Sequence, residues 1–411
     1  MALKSVKELK VTGKAVLVRT GFDVSVIAGR VVDDFRLRAA LPTFQHLVRQ
    51  KAKLVIVSHR GRPAGWDEAF SLEPVARALA EVWERKLVVV PEASRKLPEY
   101  AIPHLYFVRQ NLEEQNLAEL LTGMRDGDAA LLENLRFYPG ETKNDPGFVK
   151  KLASLGEAYV NEAFSVSHRA HASITGVAGF LPAAAGLGLE QEVLALRRVT
   201  VHPKKPMVVM MGGVKLSDKA EALENLAKTA DFLLLGGGLA NLFLKVRGFE
   251  IGKSVFEEGG GEEQLAKQLW RDHRDKIRLP LDVVVSTRRD GSPECVKAEK
   301  VRPNQIILDI GPETIRSYSE FLKKAKTLIW GGPMGYFENK AFSHGTFALA
   351  WLLASRSAKP SVFGVAGGGQ TLEVIQRLHL AKDIDCVSTG GGAMLEMLAG
   401  KTLPGLAVLE K

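Results

Sequence analysis

Two sets of side chains in this sequence have types and spacings suited to chemistry on anions. The first is Lys215 and Lys219, which follow Gly212-Gly213 in the stretch PMVVMMGGVKLSDK from Pro206 to Lys219. Met207 to Met211 is an unbroken apolar run of strand length, the glycine pair predicts a tight turn, and a helix is expected from about Lys219 to Thr229. A strand, a turn and a helix start leave free N–H groups and the positive end of a helix dipole where an anion can sit. Two lysines four apart add ammonium groups to one side of that helix start. The second set is Arg36 after Asp33-Asp34, Ser58-His59-Arg60-Gly61-Arg62-Pro63, Glu133-Asn134-Leu135-Arg136 and Ser167-His168-Arg169-Ala170-His171. Arginine forks suit carboxylate and phosphate oxygens, and histidines add donors. Singly, each glycine turn reads as an ordinary turn and each Arg or His as a surface or capping residue; their repetition makes the case for sites.

The elements that must position these residues recur in a regular way. Asp231 to Leu235 is followed by Gly236-Gly237-Gly238, Thr327 to Trp330 by Gly331-Gly332-Pro333-Met334-Gly335, Ser361 to Ala366 by Gly367-Gly368-Gly369, and Cys386 to Thr389 by Gly390-Gly391-Gly392. With Met207 to Met211, five expected strands end in glycine. In an open parallel sheet all such ends lie on one edge, where ligands bind, so the second half reads as a nucleotide or phosphate domain. In the first half, strands are expected at Ala15 to Arg19, Lys53 to Ser58, Leu87 to Val90, Tyr106 to Val108, Ala129 to Leu132 and Ala158 to Asn161. Helices are expected over Phe35 to Gln50, despite Pro42, and from an N-cap at Ser71 to about Arg85. Alternating strands and helices favour a second parallel sheet covered on both faces, whose strand-end loops carry the cations. The expected fold is α/β, with two doubly wound, Rossmann-like domains of parallel sheet facing one cleft. Their bounds are 1–185 for an acidic-substrate domain, 186–203 for a joining helix and hinge, helical from Leu189 to about Val199, and 204–390 for a nucleotide domain. Residues 391–411 form a last segment expected to return toward the first domain.

Composition narrows the function classes. A chain of 411 residues suggests two domains of ordinary size. No apolar run approaches the ~18–20 residues of a membrane span, and Met1 to Lys14 lacks a signal-peptide core, so no membrane association and a cytoplasmic location are expected. Cys295 and Cys386 form no disulfide framework and no metal quartet. The formal charge of +9 is spread over both halves, with no long basic run, which argues for anionic small ligands rather than nucleic acid. Gly252-Lys253-Ser254 and Gly400-Lys401-Thr402 lack the upstream glycine of a P-loop.

Taken together, the motifs resemble the phosphoglycerate kinase family from about Ala15 to Gly405. Ser58 to Pro63 is similar to the family's S-H-L-G-R-P, Leu132 to Phe137 to L-E-N-L-R-F, and Tyr159 to Ser173 to Y-V-N-D-A-F-x-x-x-H-R-A-H-A-S. Gly212 to Lys219 resembles G-G-A-K-V-S-D-K, Asp309 to Pro312 D-I-G-P, Gly335 to Glu338 G-V-F-E, and Ser388 to Ala393 S-T-G-G-G-A. The resemblance implies reversible phosphoryl transfer between 1,3-bisphosphoglycerate and Mg-ADP, giving 3-phosphoglycerate and Mg-ATP, by a monomer that carries Mg2+ with its nucleotide. It implies catalytic roles for Arg36, Lys215 and Lys219, and substrate contacts from Asp23, His59, Arg62, Arg136 and Arg169. Nucleotide contacts are implied for Gly212, Gly213, Lys219, Gly236, Gly237, Gly311, Pro333, Glu338, Gly367, Gly368, Gly369, Gln370 and Thr371, with no protein metal ligand assigned.

The departures from the family pattern bear on how the site works. The family's aspartate-x-asparagine, which holds the glycerate end, reads Gly21-Phe22-Asp23. Its W-N-G-P reads Trp330-Gly331-Gly332-Pro333, its G-G-G-D-T reads Gly367-Gly368-Gly369-Gln370-Thr371, and Glu162 stands where aspartate is usual. The alternative to an active kinase is therefore a relative of the same fold that binds nucleotide or an acidic metabolite with impaired turnover.

Overall fold

Short runs of Val, Leu, Ile and Ala between polar loops form a seven-stranded sheet in the order Leu87–Val90, Leu105–Val108, Ala129–Leu132, Lys53–Val57, Ala15–Thr20, Ala158–Glu162 and Ala183–Ala185. Every pairing in it is parallel. Its central strands are buried on both faces, which is why they lack polar alternation. The computed structural model describes residues 2–112, 117–259 and 261–411. The chain divides into two units, one running to Gln191 and including Thr402–Lys411, the other Glu192–Lys401.

In the first unit Phe44 packs against Trp83 and Phe22, with ring centroids 5.0 and 6.4 Å apart, within one core of sheet and helix residues. The helix Phe35–Arg49 accommodates Pro42. The next helix corrects the expectation from Ser71: it runs Glu73–Val82, with Leu72 in the cap position. A distant carboxylate takes over part of the capping. Glu133, fully buried, accepts from Leu72 N at 2.7 Å and from Ser71 Oγ at 2.7 Å. The strand Ala183–Ala185, three alanines with no periodicity, had no expectation attached to it.

The second unit carries a six-stranded parallel sheet in the order Ile277–Arg278, Phe232–Leu235, Met207–Met211, Thr327–Gly331, Phe363–Gly367 and Cys386–Ser388. The five glycine-terminated strands therefore do end on one edge. Beside them lies an antiparallel sheet of Glu294–Lys297, Asp282–Ser286 and Ile306–Ile310, which has no counterpart among the expected elements. The helix Leu187–Val201 is longer than expected at both ends, and the boundary between the units falls within it. Among the described residues no helix is long and apolar enough to cross a membrane.

Candidate active site

In the first unit the cationic loops converge around an open cavity of about 580 Å³, lined by Arg62, Arg136, Arg169 and His171 together with Pro63, Tyr138 and Thr142. Arg136 sits on the one-turn segment Leu135–Phe137, whose cap Asn134 accepts from Arg136 N at 3.0 Å. Its Nη1 donates to the Gly61 carbonyl. That bond ties the two arginine loops together. Burial, and then the nearby Arg169, lower the Arg136 guanidinium to about 10, so the group is charged but poorly solvated. Arg36 Nη1 lies 3.5 Å from the Gly21 carbonyl. His59 is almost wholly buried at 1 % exposure, with Nε2 3.7 Å from Asp23 Oδ2; Asp23 Oδ1 accepts from Gly61 N at 2.8 Å. Arg36, Asp23, His59, Arg62, Arg136 and Arg169 thus all belong to this unit.

The changed loop at Gly21 is explained locally. A Cβ there would lie 2.7 Å from Ser165 Oγ, so a larger residue at position 21 would require that hydroxyl to turn aside. Arg60, where the resemblance expects leucine, donates from Nε to the Ser71 carbonyl at 3.2 Å and from Nη2 to the Ala69 carbonyl. It braces the loop from below rather than facing the cavity.

In the second unit two cavities share Gly213, Val214 and Gln370. One, of about 360 Å³, is lined by Lys215, Asp218, Lys219, Gly331, Gly332, Gly367, Gly368, Gly369, Gln370, Thr371 and Gly391. The other, of about 190 Å³, is a mainly apolar slot between Gly237, Gly238, Pro333, Met334, Glu338 and the strand Ile306–Ile310. Sequence reasoning found the polar end of the slot but not its walls. Val283, Ile307 and Leu308 come from the antiparallel sheet, and no motif marks them; Tyr336, inside the Gly335–Glu338 motif, follows the parallel strand Thr327–Gly331.

The glycines divide into two kinds. Gly212 N and Gly213 N donate to the carbonyls of Gly331 and Pro333, both at 2.9 Å, and Gly237 N to that of Met334 at 2.7 Å. These amides hold the strand-end loops to one another and are not the free donors expected from the turn. At Gly236 a Cβ would strike Met334, and at Gly311 it would strike the Asp282 carboxylate; Gly212, Gly236 and Gly311 lie outside the lining of both cavities. Gly368, at φ +105°, instead precedes the helix Gly369–Arg377 without any side-chain cap. Its first-turn N–H groups have no intrahelical partners, and the lining residues there are Gly367 to Thr371. Gln370 does not cap the helix; its Nε2 donates to Glu338 Oε1 at 3.3 Å. Thr371 Oγ1, buried, accepts from Gly332 N at 2.7 Å.

Lys219 Nζ donates to the Lys215 carbonyl at 3.2 Å, and burial lowers its pKa. Asp309 at the base of the slot is 2 % exposed, and burial raises its carboxyl to about 7. In the first unit burial lowers His59, His168 and His171, the last to about 4. The signs are opposite. Below the ordinary imidazole value the unfolded chain binds protons that these native histidines do not, so acid destabilises; the native Asp309 binds a proton the unfolded chain lacks between about 4 and 7, so acid stabilises. Glu133, raised by burial, opposes the three histidines in its own unit but is outnumbered. Acidification from pH 7 to 5 is expected to weaken hydrogen-exchange protection of strand Ala15–Thr20 relative to strand Ile306–Ile310, after correction for intrinsic rates. Equal changes in both strands would show that neither the histidines nor Asp309 are displaced in this way.

The family model described as phosphoglycerate kinase matches residues 6–401. Proteins named phosphoglycerate kinase from Pelotomaculum thermopropionicum and Moorella thermoacetica are 41 and 42 % identical over the full length of both chains. The solved structures of phosphoglycerate kinase from Coxiella burnetii and Pyrococcus horikoshii superpose with TM-scores of 0.80 and 0.83, at 35 and 28 % identity, covering 99 % of this chain and 98 % of theirs. With a family model over residues 6–401 and relatives matching over the whole length of the chain, this protein belongs to the phosphoglycerate kinase family.

Proposed function

We propose that this chain transfers a phosphoryl group reversibly between 1,3-bisphosphoglycerate and ADP, giving 3-phosphoglycerate and ATP. The observation that carries this reading is the complementary pair of sites: an arginine-lined cavity in the first unit, and in the second a two-lysine phosphate pocket opening into a nucleoside-sized apolar slot. Arg62, Arg136 and Arg169 hold the phosphate of the acidic substrate by charge-assisted forks, and His59 adds a donor. Asp23, bonded to Gly61 N, accepts from a substrate hydroxyl. Pro333 and the slot walls sandwich the base, Glu338 accepts from ribose hydroxyls, and Gly367 to Thr371 present the helix start to the phosphate chain. The substrate carboxylate is already ionised at neutral pH, so no general base is needed. Arg36, Lys215 and Lys219 supply positive charge to the transferring group, whose negative charge spreads over its equatorial oxygens. Failure to consume 3-phosphoglycerate with ATP in a coupled assay, by protein that binds both, would overturn the assignment.

The donor set fits a Mg2+ ion brought in by the nucleotide rather than one held by the protein. Among the described residues no group of three or more His, Cys, Asp or Glu is placed to hold a metal, and the phosphate pocket offers one carboxylate, Asp218, and the Gln370 amide. Bound there, the ion would neutralise phosphate charge, with Asp218 and the Gln370 carbonyl as its protein oxygens. A neutral amide in place of a carboxylate weakens that hold. Gln370→Asp is expected to raise turnover about fivefold at sub-saturating Mg2+ and little at saturation, as roughly 1 kcal/mol of added attraction requires. An unchanged Mg2+ titration of rate would show that Gln370 acts only through Glu338.

A further inference from the structure

Behind the anion cradle lies a buried charge that the reaction itself does not use. Arg19, at the end of strand Ala15–Thr20, is 1 % exposed. Its Nε donates to Ser173 Oγ at 2.7 Å, its Nη1 to the Thr20 carbonyl, and its Nη2 lies 3.0 Å from His59 Nδ1. Glu141 stands behind it: Oε1 is 4.0 Å from Arg19 Nη2 and accepts from Ser173 Oγ at 2.6 Å, while Oε2 accepts from Ser173 N at 3.0 Å. The guanidinium is thus fixed on several sides before any ligand arrives.

A guanidinium has donors and no acceptor. A contact of 3.0 Å between Nη2 and His59 Nδ1 is therefore a hydrogen bond in one sense only, with Nδ1 unprotonated as acceptor. We propose that Arg19 is a positioning residue that holds His59 in the neutral tautomer with its proton on Nε2, so that the ring serves the acidic substrate as a fixed hydrogen-bond donor and not as a charge. Nε2 is the nitrogen nearer Asp23, at 3.7 Å from Oδ2. Among the described residues, the charged groups about the ring are the cations Arg19, Arg36, Arg136 and Arg169 and the acid Asp23, while Glu141 serves Arg19 and Ser173 and lies 3.8 Å from His171 Nδ1. A second proton on Nδ1 would meet the Arg19 N–H head on. Burial is the larger cause disfavouring the imidazolium, and the charge of Arg19 comes next. An imidazole free to titrate would change this contact across physiological pH; one locked by Arg19 leaves substrate affinity independent of its own ionisation.

The role rests on the proposed reading of the cradle as the acidic-substrate site, and the first test does not depend on it. In 15N correlation spectra of the ligand-free wild-type protein, with His59 assigned from the spectrum of His59→Gln, Nδ1 is expected to be of the unprotonated type and Nε2 of the protonated type, unchanged from pH 5 to 8. A proton on Nδ1, or a titration midpoint within that range, overturns the proposal. The second test compares Arg19→Gln, whose amide keeps a donor to Nδ1, with Arg19→Met, which removes it. Arg19→Met should release the tautomer of His59, placing part of its proton on Nδ1, and raise KM for 3-phosphoglycerate about fivefold, the ordinary worth of one hydrogen bond, with kcat and KM for ATP changed much less. Arg19→Gln should keep the tautomer and the wild-type pH profile. Retention of the wild-type tautomer in a folded Arg19→Met, or a fall in kcat as large as the rise in KM, overturns it; where Arg19→Met does not fold, the wild-type spectrum decides.

Discussion

Lys219→Met is expected to lower kcat by about 10²–10³, the loss ordinarily seen when one preorganised donor to developing charge is removed. In the proposed reaction this ammonium lies beside the transferring group. It lines the phosphate pocket, bonds to the Lys215 carbonyl at 3.2 Å, and sits over Gly213, where a Cβ would lie 3.4 Å from Nζ. Gly213 has φ +83°, a backbone few other residues adopt, so the turn under the lysine is fixed by its own conformation. Burial lowers the Lys219 pKa, which marks a charge poorly solvated by water and correspondingly strong toward phosphate oxygens. The comparison is with Lys215→Met at the exposed end of the same segment, expected to cost less and more in KM for ATP than in kcat. Equal losses in both variants would mean that the two lysines act as one diffuse positive patch.

Arg136→Ala is expected to weaken 3-phosphoglycerate binding at least about tenfold while leaving ADP affinity within about twofold, as loss of a charge-assisted contact of roughly 1.5–3 kcal/mol implies. The side chain lines the first unit's cavity, is 9 % exposed, and holds the Gly61 carbonyl with Nη1, so its removal both deletes a cation and frees the loop that carries Arg62. Arg136→Lys keeps the charge without the fork and should recover only part of the loss. Isothermal titration with each ligand separately checks the prediction. Equal weakening of both ligands would place the acidic-substrate site elsewhere.

Much of the scaffold was open to reading in the sequence because its signals are local. Met207–Met211 and Ala129–Leu132 were legible as strands because both faces of a parallel sheet are covered, so the apolar run is unbroken and its length shows. The glycine loops were legible because five strands ending alike imply one edge. Other features depend on partners far away in the chain. Ser71 Oγ does accept from Glu73 N at 3.1 Å, but the helix starts at Glu73 with Leu72 in the cap position, whose amide donates to Glu133, 61 residues away. Asp282–Ser286 pairs with both Glu294–Lys297 and Ile306–Ile310, and that pairing, with no motif of its own, builds the wall of the nucleoside slot.

What the sequence alone determined about this protein is the kind of chemistry available: cations of fixed charge on one set of strand-end loops, glycines and two lysines on another, and the order of elements that makes both ends of parallel strands. Residue type and spacing suffice for that, because charge, hydrogen-bonding capacity and the period of a strand or helix are carried by each residue or its close neighbours. Only the tertiary structure decided which of these groups line a cavity and in what surroundings. Gly212, Gly213 and Gly237 look alike in sequence to Gly368 and Gly369, yet the amides of the first three are consumed by the carbonyls of Gly331, Pro333 and Met334. Arg19 reads as the polar end of a strand, yet it lies buried against His59 Nδ1, 40 residues away, and imposes that ring's proton position. Such states are set by desolvation and by what stands within about 3 Å, and those distances exist only once the chain has folded.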